Sequence, residues 1–336
     1  MAGKARRLAL AGALIALSGC AGGAGDRDER LRLTTPGVKP IAVRDLPQGS
    51  ADRPPGRVTK VIPLPAGPIG VGYGGGAVWA TRDDGVVSRI DPGSGKVQRT
   101  RRVGERPIRV AVDGLGAWIA NADSDTVSEL DAHSGRVRRT VAVGDRPSSV
   151  AVTPDAVWVA TDRGGTLERI DRRRGEVVAR IDIGAAIGTG RQVAAGLGAI
   201  WVTGTDNVSR VDPATNAITA TVRVDSPNDV TVGHDAVWVA SIDDDVLTRI
   251  DPVRNRVAGR LQVGHLPSAV AVAAGFLWVV NNADATVTQL DETTGEVTGE
   301  IEVGAYSYDV AAGGGAIWVQ SYGEQAVYRI DPRRGT

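Results

Sequence analysis

Ala156-Val157-Trp158-Val159-Ala160 decides how this chain is read, because something close to it returns six more times. The relatives are centred on Trp79, Trp118, Trp201, Trp238, Trp278 and Trp318, and the seven account for every tryptophan in 336 residues. Successive spacings are 39, 40, 43, 37, 40 and 40 residues. Self-similarity at a fixed period near 40 marks a repeat architecture, in which each unit buries its apolar face only against its neighbours.

Each unit divides into four short strands. The first is an apolar triplet such as Val110-Ala111-Val112 or Val270-Ala271-Val272, and the second carries the tryptophan. The third alternates, as in Val246-Leu247-Thr248-Arg249-Ile250, and the fourth alternates with many charges, as in Val137-Arg138-Arg139-Thr140-Val141. Strands apolar on both faces belong inside, and alternating ones lie progressively further out. Four strands running from a dry inside to a wet outside describe a β-propeller blade, so the expected fold is all-β.

The turn between strands three and four is an independent check. Every repeat has an aspartate there, at Asp91, Asp131, Asp171, Asp212, Asp251, Asp291 and Asp331. Four residues later stands glycine or asparagine, at Gly95, Gly135, Gly175, Asn216, Asn255, Gly295 and Gly335, the types that most readily enter the left-handed region. The aspartate side chain accepts turn N–H groups, so the ring of carboxylates is explained by the turn.

The last repeat ends after its third strand. The missing fourth pattern stands at the other end of the domain, in Arg57-Val58-Thr59-Lys60-Val61-Ile62-Pro63-Leu64. The two ends are therefore expected to share one blade, giving a seven-bladed propeller over residues 57–336 whose last blade is closed by an N-terminal strand.

Residues 1–19 have a basic start (Lys4, Arg6, Arg7) and an apolar run from Leu8 to Leu17, the pattern of a secretory signal too short to span a membrane. Leu17-Ser18-Gly19-Cys20 resembles a bacterial lipobox, which implies cleavage before Cys20 and lipidation of its thiol; ordinary cleavage at a small-residue site is the alternative. The lipobox reading gives a mature chain outside the cytoplasm, held to the membrane by acyl chains. Residues 20–56 then form a flexible tether with an r.m.s. reach of roughly 30 to 36 Å. Cys20 is the only cysteine, so neither a disulfide framework nor a cysteine metal site exists. With 39 basic and 39 acidic residues, no overall field draws the chain to nucleic acid. A monomer is expected.

The tryptophan strand followed by asparagine in Trp118-Ile119-Ala120-Asn121 and Trp278-Val279-Val280-Asn281, with the Arg-Ile-Asp-Pro turns, resembles the YVTN family of β-propeller repeat proteins. The resemblance covers nearly all of residues 57–336 and implies a fold more than an activity. The repeats are also similar to those of streptogramin B lyases, propellers of the same blade number. That similarity implies a histidine base, with a glutamate two places away, and a glutamate-held magnesium ion; none of the three histidines here has such a glutamate.

What repeats in every blade serves the fold, so function is sought where blades differ. The residue before the first valine of strand one is Gly70, Arg109, Ser149, Gln192, Asp229, Ala269 or Asp309. Seven innermost strands converge there, so Arg109, Gln192, Asp229 and Asp309 are expected at a common channel mouth, with Arg191, Asn228 and Tyr308 preceding three of these positions. The loop from Gly184 to Arg191 is three residues longer than its counterparts and makes a reasonable binding element. Acidic residues crowd the strand two to three loops, with Asp243-Asp244-Asp245 densest; they read as loop caps, or as oxygen ligands for a hard cation. His133 and His234 fall on the opposite face, and only His265 lies in a mouth-face loop. The expected function is a lipid-anchored scaffold binding a protein, glycan or small polar ligand through Arg109, Arg191, Gln192, Asp229, Tyr308 and Asp309, without catalytic residues, metal or other cofactor. The alternative is a metal-dependent lyase or lactonase using a divalent ion such as magnesium or calcium.

Overall fold

The computed structural model describes residues 55–184 and 190–332. The signal segment, Cys20, nearly all of the tether, the interior of the long loop and Gly335 lie outside the described residues. All regular elements are strands, arranged as seven antiparallel sheets of four. Six sheets follow chain order. The seventh does not: Val310–Gly313, Ala316–Ser321 and Ala326–Asp331 are completed on the outside by Arg57–Pro63. Arg57 pairs with Asp331 and Pro63 with Ala326, so the two ends share blade seven as the sequence leads one to expect.

Blade three shows why these residues fold this way. Its first strand, Pro147–Val152, and its second, Ala156–Thr161, are buried almost throughout. The third, Thr166–Asp171, is mixed, and the outermost, Glu176–Asp182, alternates exposed with covered residues. The alternation works because successive strand side chains point to opposite faces, and only the outermost strand has solvent beside it. The Asp turns close as expected. Asp171 Oδ1 accepts the N–H groups of Arg173 and Arg174, both at 2.9 Å, and Gly175 follows with φ of 70°. Asn216 and Asn255 take the same left-handed conformation, with φ of 58° and 50°. Hydrogen bonds from the Arg254 side chain and turn N–H groups hold Asp251 down at about 2.

All seven indoles are at most 2% exposed, and each packs into the seam with the next blade. Trp158 meets Ile200, Val202 and Val211 of blade four, and Trp318 meets Val71, Val78 and Ile90 of blade one, closing the ring. Sequence reading missed what lies over them. In five blades the residue opposite tryptophan on strand three is arginine, and its guanidinium lies over the ring, as Arg169 does at 5.5 Å from Trp158. In blade two Glu129 holds that position and Arg139 of the outer strand takes over at 6.0 Å, paired with Glu129 at 2.6 Å. Blade six has Gln289 there. Gly56 of the incoming chain covers Trp278 instead, donating its N–H to Gln289 Oε1 at 2.7 Å, so close that an added methyl would stand 2.8 Å from the indole.

Two measurements test this packing. Deleting residues 57–64 should produce aggregation or a large loss of cooperative stability, and an unchanged melting transition would sink the shared blade. Trp158→Ala should cost about 3–5 kcal/mol in denaturant unfolding, the usual range for emptying a buried large aromatic site.

Candidate functional site

Five of the seven innermost strands begin with proline and slip register immediately after it, between Pro68 and Gly70, Pro107 and Arg109, Pro147 and Ser149, Pro227 and Asp229, and Pro267 and Ala269. A bulge at the start of a strand re-aims the next side chain, and proline there lacks the N–H that the bulge would leave unpaired. Of the residues so directed, Arg109, Ser149 and Asp229, with Gln192 and Asp309 from blades four and seven, line a channel of about 330 Å³. That volume lies at the lower end of the range for small-molecule sites.

At the mouth the expected residues come together in part. Arg109 donates from Nε to Gln192 Oε1 at 3.1 Å, and its Nη1 lies 3.2 Å from Asp309 Oδ2. Asp309 also accepts the Val71 N–H of the next blade at 2.9 Å. Asp229 accepts the Val270 N–H of blade six at 2.8 Å, and Ser149 Oγ the Val193 N–H of blade four at 3.2 Å. Each of these side chains therefore satisfies a backbone group at the inner rim of its neighbour, stitching blades together at the same place where it faces the channel. Gly70 leaves its part of the rim bare; a methyl there would stand 2.5 Å from the Ile108 carbonyl oxygen.

Arg191 and Tyr308 do not join the ring. Arg191 is buried, with Nη1 donating to the Thr203 carbonyl at 3.2 Å and Nη2 to that of Gly184. Tyr308 is half-buried on the rim, and burial raises its phenol above the usual value. Each precedes a ring residue by one place, and strand alternation turns it away from the channel. Asn228 behaves likewise, donating to the Ser268 carbonyl at 2.7 Å.

The ring holds two carboxylates and one guanidinium. Burial pushes Asp229 up to about 6; Arg109 opposes the shift and the charge of Asp309 reinforces it. Asp309 is raised as well, again by burial and against the pull of Arg109. The acidic loops are mostly turned back on the protein. Asp162 Oδ1 caps the Arg191 N–H at 2.8 Å and Asp245 Oδ1 that of Leu266 at 2.9 Å, while Asp243 Oδ2 takes the Ser226 hydroxyl at 2.8 Å. His265 Nδ1 sits 3.0 Å from Asp284 Oδ1, which raises its pKa. Among the described residues no three His, Cys, Asp or Glu side chains are grouped so as to hold a metal ion.

No family model matches the chain, and no curated protein matches it either. Solved structures do: 1614 chains resemble it, a breadth that speaks for fold and not for activity. One is a chain of the Kuenenia stuttgartiensis hydrazine synthase, 18% identical, with a TM-score of 0.70 over 80% of this chain and 96% of that one. At that identity the likeness shows a shared propeller fold.

The Asp229 shift has a definite sign. With a folded pKa near 6 against an ordinary 3.8, the native state binds more protons between those values, so stability falls as pH rises through about 6. Asp229→Asn should melt above the wild type at pH 7, by up to about 3 kcal/mol, and the two should converge below pH 4. Parallel pH profiles would refute the assignment.

Proposed function

We propose that this chain is a YVTN-type propeller acting outside the cytoplasm as a lipid-anchored binding scaffold, with the polar ring at its channel mouth as the recognition site. The supporting observation is the imbalance of charge in the ring. Arg109 is committed to Asp309 and Gln192, which leaves Asp229 with backbone partners and no ion pair among the described residues. A half-buried carboxylate of that kind favours a ligand bringing a positive or donor-rich group, because the pairing relieves its desolvation. A small polar molecule or a single side chain of a partner fits the channel volume.

The direction of the tether supports the same reading. The chain joins the ring at Gly56 and Arg57, beside Asp331 and the Asp turns, whereas Arg109, Gln192, Asp229 and Asp309 lie at the opposite ends of their blades. Anchored through Cys20, the propeller presents the mouth away from the membrane.

Titration calorimetry with small diamines tests the site. Binding should be lost in Asp229→Asn and kept in Asp244→Asn; equal heats from both variants would refute it. Membrane fractionation of Cys20→Ala tests the anchor, with release into the soluble fraction expected and unchanged retention counting against lipidation.

A further inference from the structure

All seven tryptophans are spent on blade seams, which leaves tyrosine as the aromatic residue of the surface. The chain has five, and three of them, Tyr306, Tyr308 and Tyr322, meet on the mouth face of blade seven. The Tyr322 N–H donates to the Tyr306 carbonyl at 3.1 Å, and Tyr308, two residues along from Tyr306, is half-buried on the same rim. The backbone bond between Tyr322 and Tyr306 is present in five other blades, joining, for example, Ala122 to Arg106 and Asn282 to Leu266, and none of those pairs contains an aromatic residue. The fold therefore does not require rings here.

The rings are seated by small residues. A methyl on Gly67 would stand 2.5 Å from Tyr322 Cε2, and one on Gly323 would stand 3.0 Å from Tyr306 Cδ2. Glycine at both places lets a ring lie down on the backbone, and Tyr306 remains 46% exposed. The Tyr322 hydroxyl donates to Asp83 Oδ2 at 3.0 Å, which makes that ring richer in electrons. The nearby charge of blade six is acidic: Asp284 lies in its strand two to three loop and Glu300 and Glu302 in the mouth-ward half of its outer strand, and Arg82, beside the cluster in sequence, is held by Asp84.

We propose that this tyrosine cluster is a binding site for a small organic cation, a quaternary or protonated amine held by the faces of Tyr306, Tyr308 and Tyr322 and by the Asp83 carboxylate. Aromatic faces attract a cation within about 6 Å of the ring, and neighbouring carboxylates add to the attraction. An anion is repelled here, and a neutral sugar would stack on the rings without drawing on the charge. The inference stands apart from the channel reading, since none of these residues belongs to the ring around Asp229.

Calorimetric titration of the full chain with choline and with its uncharged carbon isostere, 3,3-dimethylbutan-1-ol, is the test. Choline should bind at least tenfold more tightly than the isostere. Tyr306→Leu and Tyr322→Leu should each weaken choline roughly tenfold with the melting transition unchanged, while Tyr322→Phe and Asp229→Asn retain it. Leucine already occupies the position equivalent to Tyr306, at Leu266, so the first variant keeps the fold. Equal affinity for the isostere, no response to the tyrosine substitutions, or binding of maltohexaose in place of choline would each overturn the proposal.

Discussion

Everything in this molecule depends on a flat indole pressed between two blades. Each tryptophan spans the gap from its own sheet to the aliphatic side chains of the next, and six of the seven carry a guanidinium over the ring, which in Arg89 and Arg169 also reaches across to the next blade. A large buried ring with a cation over it leaves little freedom for the angle between blades. Repeated around the circle, that restraint sets the diameter of the channel. The ring of Arg109, Gln192, Asp229 and Asp309 is a consequence, because seven strand ends are brought close enough for side chains of different blades to reach one another.

The fold was legible because each of its rules is written seven times. One tryptophan says little, but seven at a regular spacing fix the register, and the aspartate with glycine or asparagine four places on fixes the outer turn. The same reading took Arg-Ile-Asp for a turn signal alone. Its arginine is the residue that lies over the indole, and that could have been inferred, since it stands directly opposite tryptophan on the next strand. The site was less legible for the opposite reason, in that its residues are departures from a pattern and occur once. Strand alternation still separated Gln192 and Asp309 from Arg191 and Tyr308, and applying it strictly would have kept the latter pair out of the channel.

The tyrosines show where position-by-position comparison outperforms motif searching. Tyr306 and Tyr322 belong to no motif, and the hydrogen bond between them is made in five other blades by pairs without an aromatic residue, from Asp83 with Gly67 to Asn282 with Leu266. Their chemistry is visible only when equivalent positions are laid side by side. The ring residues are harder to judge because they serve two ends at once. Asp229 and Asp309 satisfy backbone donors of neighbouring strands and also supply the charge of the mouth, so their presence is explained twice.

The shared blade also governs the order in which the molecule is made. Residues 57–63 are the first strand of the propeller to leave the ribosome and must wait for Ala326–Asp331, some 270 positions later, before they acquire a partner; Thr59 and Arg329 are separated by that distance. Six blades form from neighbouring segments, while the seventh requires the ends of the domain to find each other. Closing so long a loop is slow and entropically costly, and it comes after the local hairpins. A chain interrupted before its last blade thus presents an open arc, with the unpaired strand edges that invite aggregation. Completion of the ring reports that synthesis has reached the end of the domain.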